Sequence, residues 1–121
     1  TDALDELSTC GPNRVSIVRD GKVTTTELDP TDLDLPLGHP SALRAEGPEQ
    51  SAQIITDLLA GKHGAARDIV ALNAAAALVV GGVAESIEEG LSMAFDAIDT
   101  GKAKAALAAL IELTNAAPAQ A

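Results

Sequence analysis

Arg67-Asp68-Ile69-Val70-Ala71-Leu72-Asn73-Ala74-Ala75-Ala76-Ala77-Leu78-Val79-Val80 is the most apolar run of this chain, and its reading decides the fold. Ile69, Leu72, Ala76, Val79 and Val80 recur at helical spacing, and most positions between them are apolar as well, which predicts a helix buried nearly all round. The consecutive alanines 74–77 favour helix and let neighbouring elements approach closely. The run is too short to span a bilayer and carries Arg67, Asp68 and Asn73, so a transmembrane reading is set aside. Such a helix needs cover on several sides, and the rest of the chain supplies only part of it.

Working outward, helices precede and follow this run. Pro48 starts one whose face is Ala52, Ile55, Leu58 and Leu59, and Gly61 ends it. The central helix closes at Gly81-Gly82. Ser86-Ile87-Glu88-Glu89 then reads as a capping box, with Ser86 accepting from the amide three residues on and Glu89 reaching back. Ile87, Leu91, Ala94, Phe95 and Ile98 form its stripe, and Gly101 closes it. A last helix carries Ala103, Ala106, Leu107, Leu110 and Ile111, before a tail, 116–121, that should fray. Upstream the period changes. Val15 and Ile17 alternate with polar residues, Asp20-Gly21 follows, and Val23 leads a run of threonines. Asp-Gly between two β-prone runs predicts a hairpin, because both turn positions want φ > 0. Asp29 N-caps a short helical turn with Pro30 at its first position, and 35–47 reads as loop with a turn at Pro40–Arg44.

A chain of 121 residues is one domain or a piece of one. With one Phe and no Trp or Tyr, its core must be built from Ala, Val, Leu and Ile. A net charge of −10 argues against sequence-independent nucleic-acid binding, which needs Lys and Arg to neutralise phosphates, and against docking on an anionic membrane. The single cysteine, Cys10, excludes an internal disulfide framework and a Cys-cluster metal site, and fits a cytoplasmic location.

No nucleophile–base pair declares itself. His39 lies in a Pro/Gly loop and His63 in an inter-helix turn, and lone surface histidines are usually just that. Cys10 has no neighbouring His or Lys to lower its pKa, and no glycine-rich phosphate cradle is present. Asp5-Glu6 remains. If the backbone is strand-like there, the two side chains point to opposite faces. If it turns, both can reach one hard cation such as Mg²⁺, which binds few carboxylates and keeps several waters. From spacing alone, adjacent acids are far more often a solvated pair than a metal site.

Leu4-Asp5-Glu6-Leu7-Ser8-Thr9-Cys10-Gly11-Pro12, followed by a hairpin, resembles the corresponding segment of the anthranilate phosphoribosyltransferases. So do Gly64-Ala65-Ala66-Arg67-Asp68-Ile69-Val70-Ala71-Leu72-Asn73-Ala74-Ala75-Ala76, the capped helix at Glu85-Ser86-Ile87-Glu88-Glu89-Gly90, and the junction Ile98-Asp99-Thr100-Gly101-Lys102-Ala103. The resemblance runs through essentially the whole chain in unbroken order. It implies transfer of the phosphoribosyl group of phosphoribosyl pyrophosphate to the amino nitrogen of anthranilate, in tryptophan biosynthesis, with Mg²⁺. It also implies that Asp5 and Glu6 hold a magnesium ion serving the pyrophosphate. Ser8, Thr9 and Gly11 match the loop without an assigned role, Cys10 stands where Thr is expected, and Arg67 and Asn73 match as structural residues. Asn73 is expected to satisfy a buried backbone group.

The fold implied is an α/β large domain in the parent enzyme. This chain itself is expected to be α+β, with an N-terminal strand segment and β-hairpin followed by about four helices. Residues 1–28 would carry the metal-binding segment and hairpin, 29–47 a loop with short helical turns, 48–115 the helices, and 116–121 the tail. The resemblance reaches only the C-terminal part of the family. The small helical domain, the glycine-rich loop for phosphoribosyl pyrophosphate, the anthranilate-binding segments, most of the parallel sheet and the homodimer contact belong to what precedes it. The expected partner is therefore the missing N-terminal part or a second copy, and the isolated chain is expected to be inactive. Two rival readings are a piece of a pyrimidine-nucleoside phosphorylase of the same fold, and a non-catalytic interaction piece that binds a partner through its helix faces.

Overall fold

The computed structural model describes residues 4–116. A hairpin of β1 (Asn13–Arg19) and β2 (Lys22–Leu28) leads through two short 3-10 turns into α1 (Pro48–Leu59), α2 (Ala65–Val80), α3 (Ile87–Asp99) and α4 (Lys102–Asn115). This is the expected α+β composition, with four helices. Asp20 and Gly21 sit at φ 51° and 73°, as a two-residue hairpin turn requires, and set the antiparallel register from Asn13 opposite Leu28 to Arg19 opposite Lys22. Where a strand segment was expected, Leu4–Pro12 joins no ladder among the described residues; its backbone bends at Asp5 and Glu6.

After the hairpin, Asp29 caps the turn Pro30–Leu33 as expected, accepting from the Thr31 amide at 2.9 Å and the Thr31 hydroxyl at 2.7 Å. Those two bonds hold its carboxyl below the usual carboxylate value. The turn drives Leu33, and then Leu35, against the helices. The core is small: Leu33, Leu35, Ala71, Leu72, Ala75, Leu91 and Ala94, with Leu7, Leu28, Ile87 and Phe95 at its margin. At its centre α2 and α3 cross closely. A Cβ at Gly90 would lie 2.8 Å from the Ala75 carbonyl oxygen, so only glycine permits this approach. Ser86 accepts from the Glu89 amide at 3.2 Å, while the Glu89 carboxylate accepts from the Glu85 amide at 2.7 Å, one residue further out than a standard capping box.

One expectation is corrected. The central helix is not buried nearly all round: its buried residues are Arg67, Ala71, Leu72 and Ala75, which share one face, while Val70 is 43% and Val80 90% exposed. Its cover comes mainly from α3, with smaller contributions from α1, the Pro40–Leu43 turn, Leu7 and the Leu33 and Leu35 side chains. The hairpin stands off its C-terminal half, leaving a groove of ≈ 800 Å³ lined by Val15, Ile17, Ala76, Val79 and Val80. A second groove of ≈ 750 Å³ runs on the α3 side past Ala77, Leu78 and Met93. The stripe on α4 is only partly covered: Ala103 and Leu107 are half-buried against the other helices, no residue of the helix is buried, and Leu110, Ile111 and Leu113 are exposed. Of the tail, only Ala116 falls within the described residues. Among the described residues, no helix is long and apolar enough to cross a membrane.

Candidate functional site

The acidic pair stands at the start of a short irregular segment that two asparagines hold in place. Leu7 donates its amide to Asn73 Oδ1 at 3.0 Å, and Asn73 Nδ2 donates to the Leu7 carbonyl at 2.8 Å. One residue on, Ser8 donates its amide to Asn13 Oδ1 at 2.7 Å, and Asn13 Nδ2 donates back to the Ser8 carbonyl at 2.8 Å. A side-chain amide carries one acceptor and two donor hydrogens, so each asparagine does for one residue what a neighbouring strand would do. The chain then turns inward. Ser8 and Thr9 are buried, Ser8 Oγ accepts from the Cys10 amide at 3.0 Å, and the Thr9 carbonyl accepts from the Gly38 amide at 2.8 Å. Packing and turn formation thus account for both hydroxyl residues, although Thr9 Oγ1 has no partner among the described residues.

Asp5 and Glu6 themselves are exposed, and among the described residues neither carboxylate has a hydrogen-bond or ion-pair partner. They sit on a bend with their charges uncompensated, immediately before a rigidly anchored Leu7. Two free, adjacent hard-oxygen donors suit a small divalent cation that retains most of its water and completes its shell with phosphate oxygens. Among the described residues, no group of three or more His, Cys, Asp or Glu side chains is placed to hold a metal, so an all-protein cage is not on offer.

The remaining candidates fall elsewhere. His39 caps the second 3-10 turn, accepting from the Ser41 amide at 3.3 Å. His63 Nδ1 lies 3.3 Å from Arg67 Nη1. Cys10 is a half-buried free thiol. Arg67, 7% exposed in its side chain, stacks 4.5 Å from the Phe95 ring centre and donates through Nη2 to both oxygens of Asp99, at 2.6 and 2.8 Å. It therefore ties the start of α2 to the end of α3, which agrees with its structural reading. Asn13 was missed in the sequence. The available signal was an asparagine directly after Gly11-Pro12, a position where its side chain bonds local backbone.

Beside Arg67, burial raises the Asp68 carboxyl above its ordinary value, with the charges of Arg67 and His63 pulling the other way. A folded-state value above the unfolded one means that the native chain binds this proton more tightly. Its contribution to stability therefore falls as pH rises through that window. Asp68→Asn is expected to gain in Tm relative to the parent as the pH is raised from about 3 to about 7. Thermal melts of both chains across that range check this, and a pH-independent difference would contradict it.

Comparison with known proteins extends the geometry. The model of the glycosyl transferase family, a/b domain, matches residues 1–104. The anthranilate phosphoribosyltransferase of Parvibaculum lavamentivorans is 45% identical over 115 residues, covering 95% of this chain and 34% of that enzyme. That of Caldanaerobacter subterraneus subsp. tengcongensis is 43% identical over 102 residues, 84% of this chain and 30% of the relative. Among solved structures, anthranilate phosphoribosyltransferase from Thermus thermophilus superposes with a TM-score of 0.76 at 33% identity, covering 86% of this chain and 31% of that one. The chain spans about a third of the length of the curated relatives it matches.

Proposed function

This chain belongs to the glycosyl transferase family, a/b domain, and from that premise we propose that it is the C-terminal section of an anthranilate phosphoribosyltransferase. The reaction is transfer of a phosphoribosyl group from phosphoribosyl pyrophosphate to the amino nitrogen of anthranilate, in tryptophan biosynthesis. One observation carries the reading: the likeness to these enzymes extends over nearly the whole chain, through both the acidic loop and the helix that anchors it. A cytoplasmic location fits the lone cysteine.

Asp5 and Glu6 are the residues we assign to Mg²⁺. Bound there, the ion would neutralise charge building on the leaving pyrophosphate as the glycosidic C–O bond breaks. The chain's own part is to hold two carboxylates at a bend, uncompensated and open to solvent, so that they face phosphate oxygens without first breaking an ion pair. Leu7 to Gly11 fix the position of that bend relative to α2. No residue of this chain is assigned to anthranilate, to the ribose or to proton transfer.

The remainder of the enzyme is the expected partner, and the two apolar grooves flanking α2 support that reading, since each leaves aliphatic side chains without cover. A second copy is the other candidate occupant. The test is an assay of anthranilate fluorescence loss with phosphoribosyl pyrophosphate and Mg²⁺. The chain is assayed alone and mixed with the separately expressed upstream two-thirds of the Parvibaculum lavamentivorans enzyme. Turnover is expected only in the mixture. A well-formed complex that leaves anthranilate untouched would overturn this reading and leave a structural role.

A further inference from the structure

We propose that Asn73 is the positioning residue for the Asp5-Glu6 pair, acting through the peptide groups of Leu7; the inference rests on reading those acids as metal ligands. Asn73 is 66 residues away in sequence, yet its amide engages both backbone polar groups of Leu7, at 3.0 and 2.8 Å. The same Nδ2 also donates to the Ile69 carbonyl at 2.9 Å, which fixes the amide plane against its own helix. Among the described residues no other hydrogen bond joins Leu4–Leu7 to the rest of the molecule.

The choice of residue follows from this geometry. The site needs an acceptor and donors on one short planar group. Alanine offers neither, and aspartate would lose the donor while adding charge. In a run of alanines, asparagine is a poorer helix former than what surrounds it, so its presence calls for a compensating contact. Its helix is also a fixed reference. Leu72, the adjacent residue, is completely buried in the core, and Ala75 lies against the α3 backbone at Gly90. Asn73 thus transfers the rigidity of the helix crossing to a loop whose two carboxylates have no hydrogen-bond or ion-pair partner among the described residues. Groups that orient metal-binding side chains without touching the metal typically control affinity by roughly 10–100-fold.

The experiment uses Mn²⁺ as the probe, titrated into the ¹⁵N-labelled full chain and followed by amide line broadening. In the parent, substoichiometric Mn²⁺ is expected to broaden Asp5, Glu6 and Leu7 first. Asn73→Ala is expected to keep a dispersed spectrum and to need roughly tenfold or more Mn²⁺ for the same broadening. Leu58→Ala, which removes a buried side chain outside the cluster that Leu7 packs against, should leave the Mn²⁺ curve in place. Equal broadening in Asn73→Ala and parent would overturn the inference while leaving the acids as ligands. No selective broadening near Asp5 in the parent would remove the metal reading itself, and the inference with it. If Asn73→Ala does not fold, a Mg²⁺ titration of the parent decides. The Asn73 side-chain amide and the Leu7 amide should then shift along one saturation curve, and a silent Asn73 amide would overturn the proposal.

Discussion

Asp5→Ala and Glu6→Ala, each made in the chain and assayed with the upstream part of a relative, are expected to lower turnover by ~10²-fold or more. The reasoning is electrostatic. Charge developing on a leaving pyrophosphate is stabilised by whatever is already positioned beside it, and losing one preorganised contributor removes that stabilisation in the transition state. Neither substitution should disturb the fold, because both side chains are exposed and have no partner among the described residues. Stability should stay within about 0.5 kcal/mol of the parent. The KM for anthranilate should change little, while the Mg²⁺ concentration giving half-maximal rate should rise. That split separates loss of a metal ligand from loss of a docking surface, since a docking defect would appear as weaker association of the two parts at unchanged Mg²⁺ dependence. Full activity in both variants would remove the acids from the site.

The second large effect is on stability. Leu72→Ala is expected to destabilise the chain by roughly 2–5 kcal/mol, read as a lower urea midpoint at unchanged slope. Leu72 has no exposed surface and sits where the 30–35 turn, α2 and α3 meet. Two of its buried neighbours, Ala71 and Ala75, are too small to fill the space it would leave, and the backbone contact at Gly90 prevents α3 from moving in. Small domains have total stabilities of about 5–15 kcal/mol, so the loss is a large share of the whole. Val80→Ala is the matched control. At 90% exposure it removes a similar side chain from water, not from a core, and should change the midpoint little. A Leu72→Ala chain within about 1 kcal/mol of the parent, a margin set by the usual scatter of core truncations, would mean that this core is not what holds the chain together.

Much of the local structure was legible because local chemistry dictates it. Asp20-Gly21 adopts the left-handed backbone that its residue types favour, and Asp29 and Ser86 cap the elements they precede. The four helices fall where the apolar periods and glycines put them. The acidic pair was visible as a pair, but its setting was not. The backbone bends at Asp5-Glu6, and the next two residues are held by Asn73 and Asn13, contacts that the order of residues along the chain does not announce.

By itself, then, the sequence determined the turn chemistry, the caps, the order of elements and the absence of a nucleophile–base pair or cysteine cluster, all properties of neighbours along the chain. Tertiary structure alone decided which face of α2 is buried, that Arg67 finds Asp99 across 32 residues, and that Asn73 holds the loop carrying the acids. The reason is physical. An apolar period shows that a helix has a surface to hide, but its cover depends on what else the chain brings within contact. Here Arg67, Ala71, Leu72 and Ala75 are buried while Val70, Ala77 and Val80 stay exposed beside open grooves, so a run apolar all round in sequence is only partly covered in the fold.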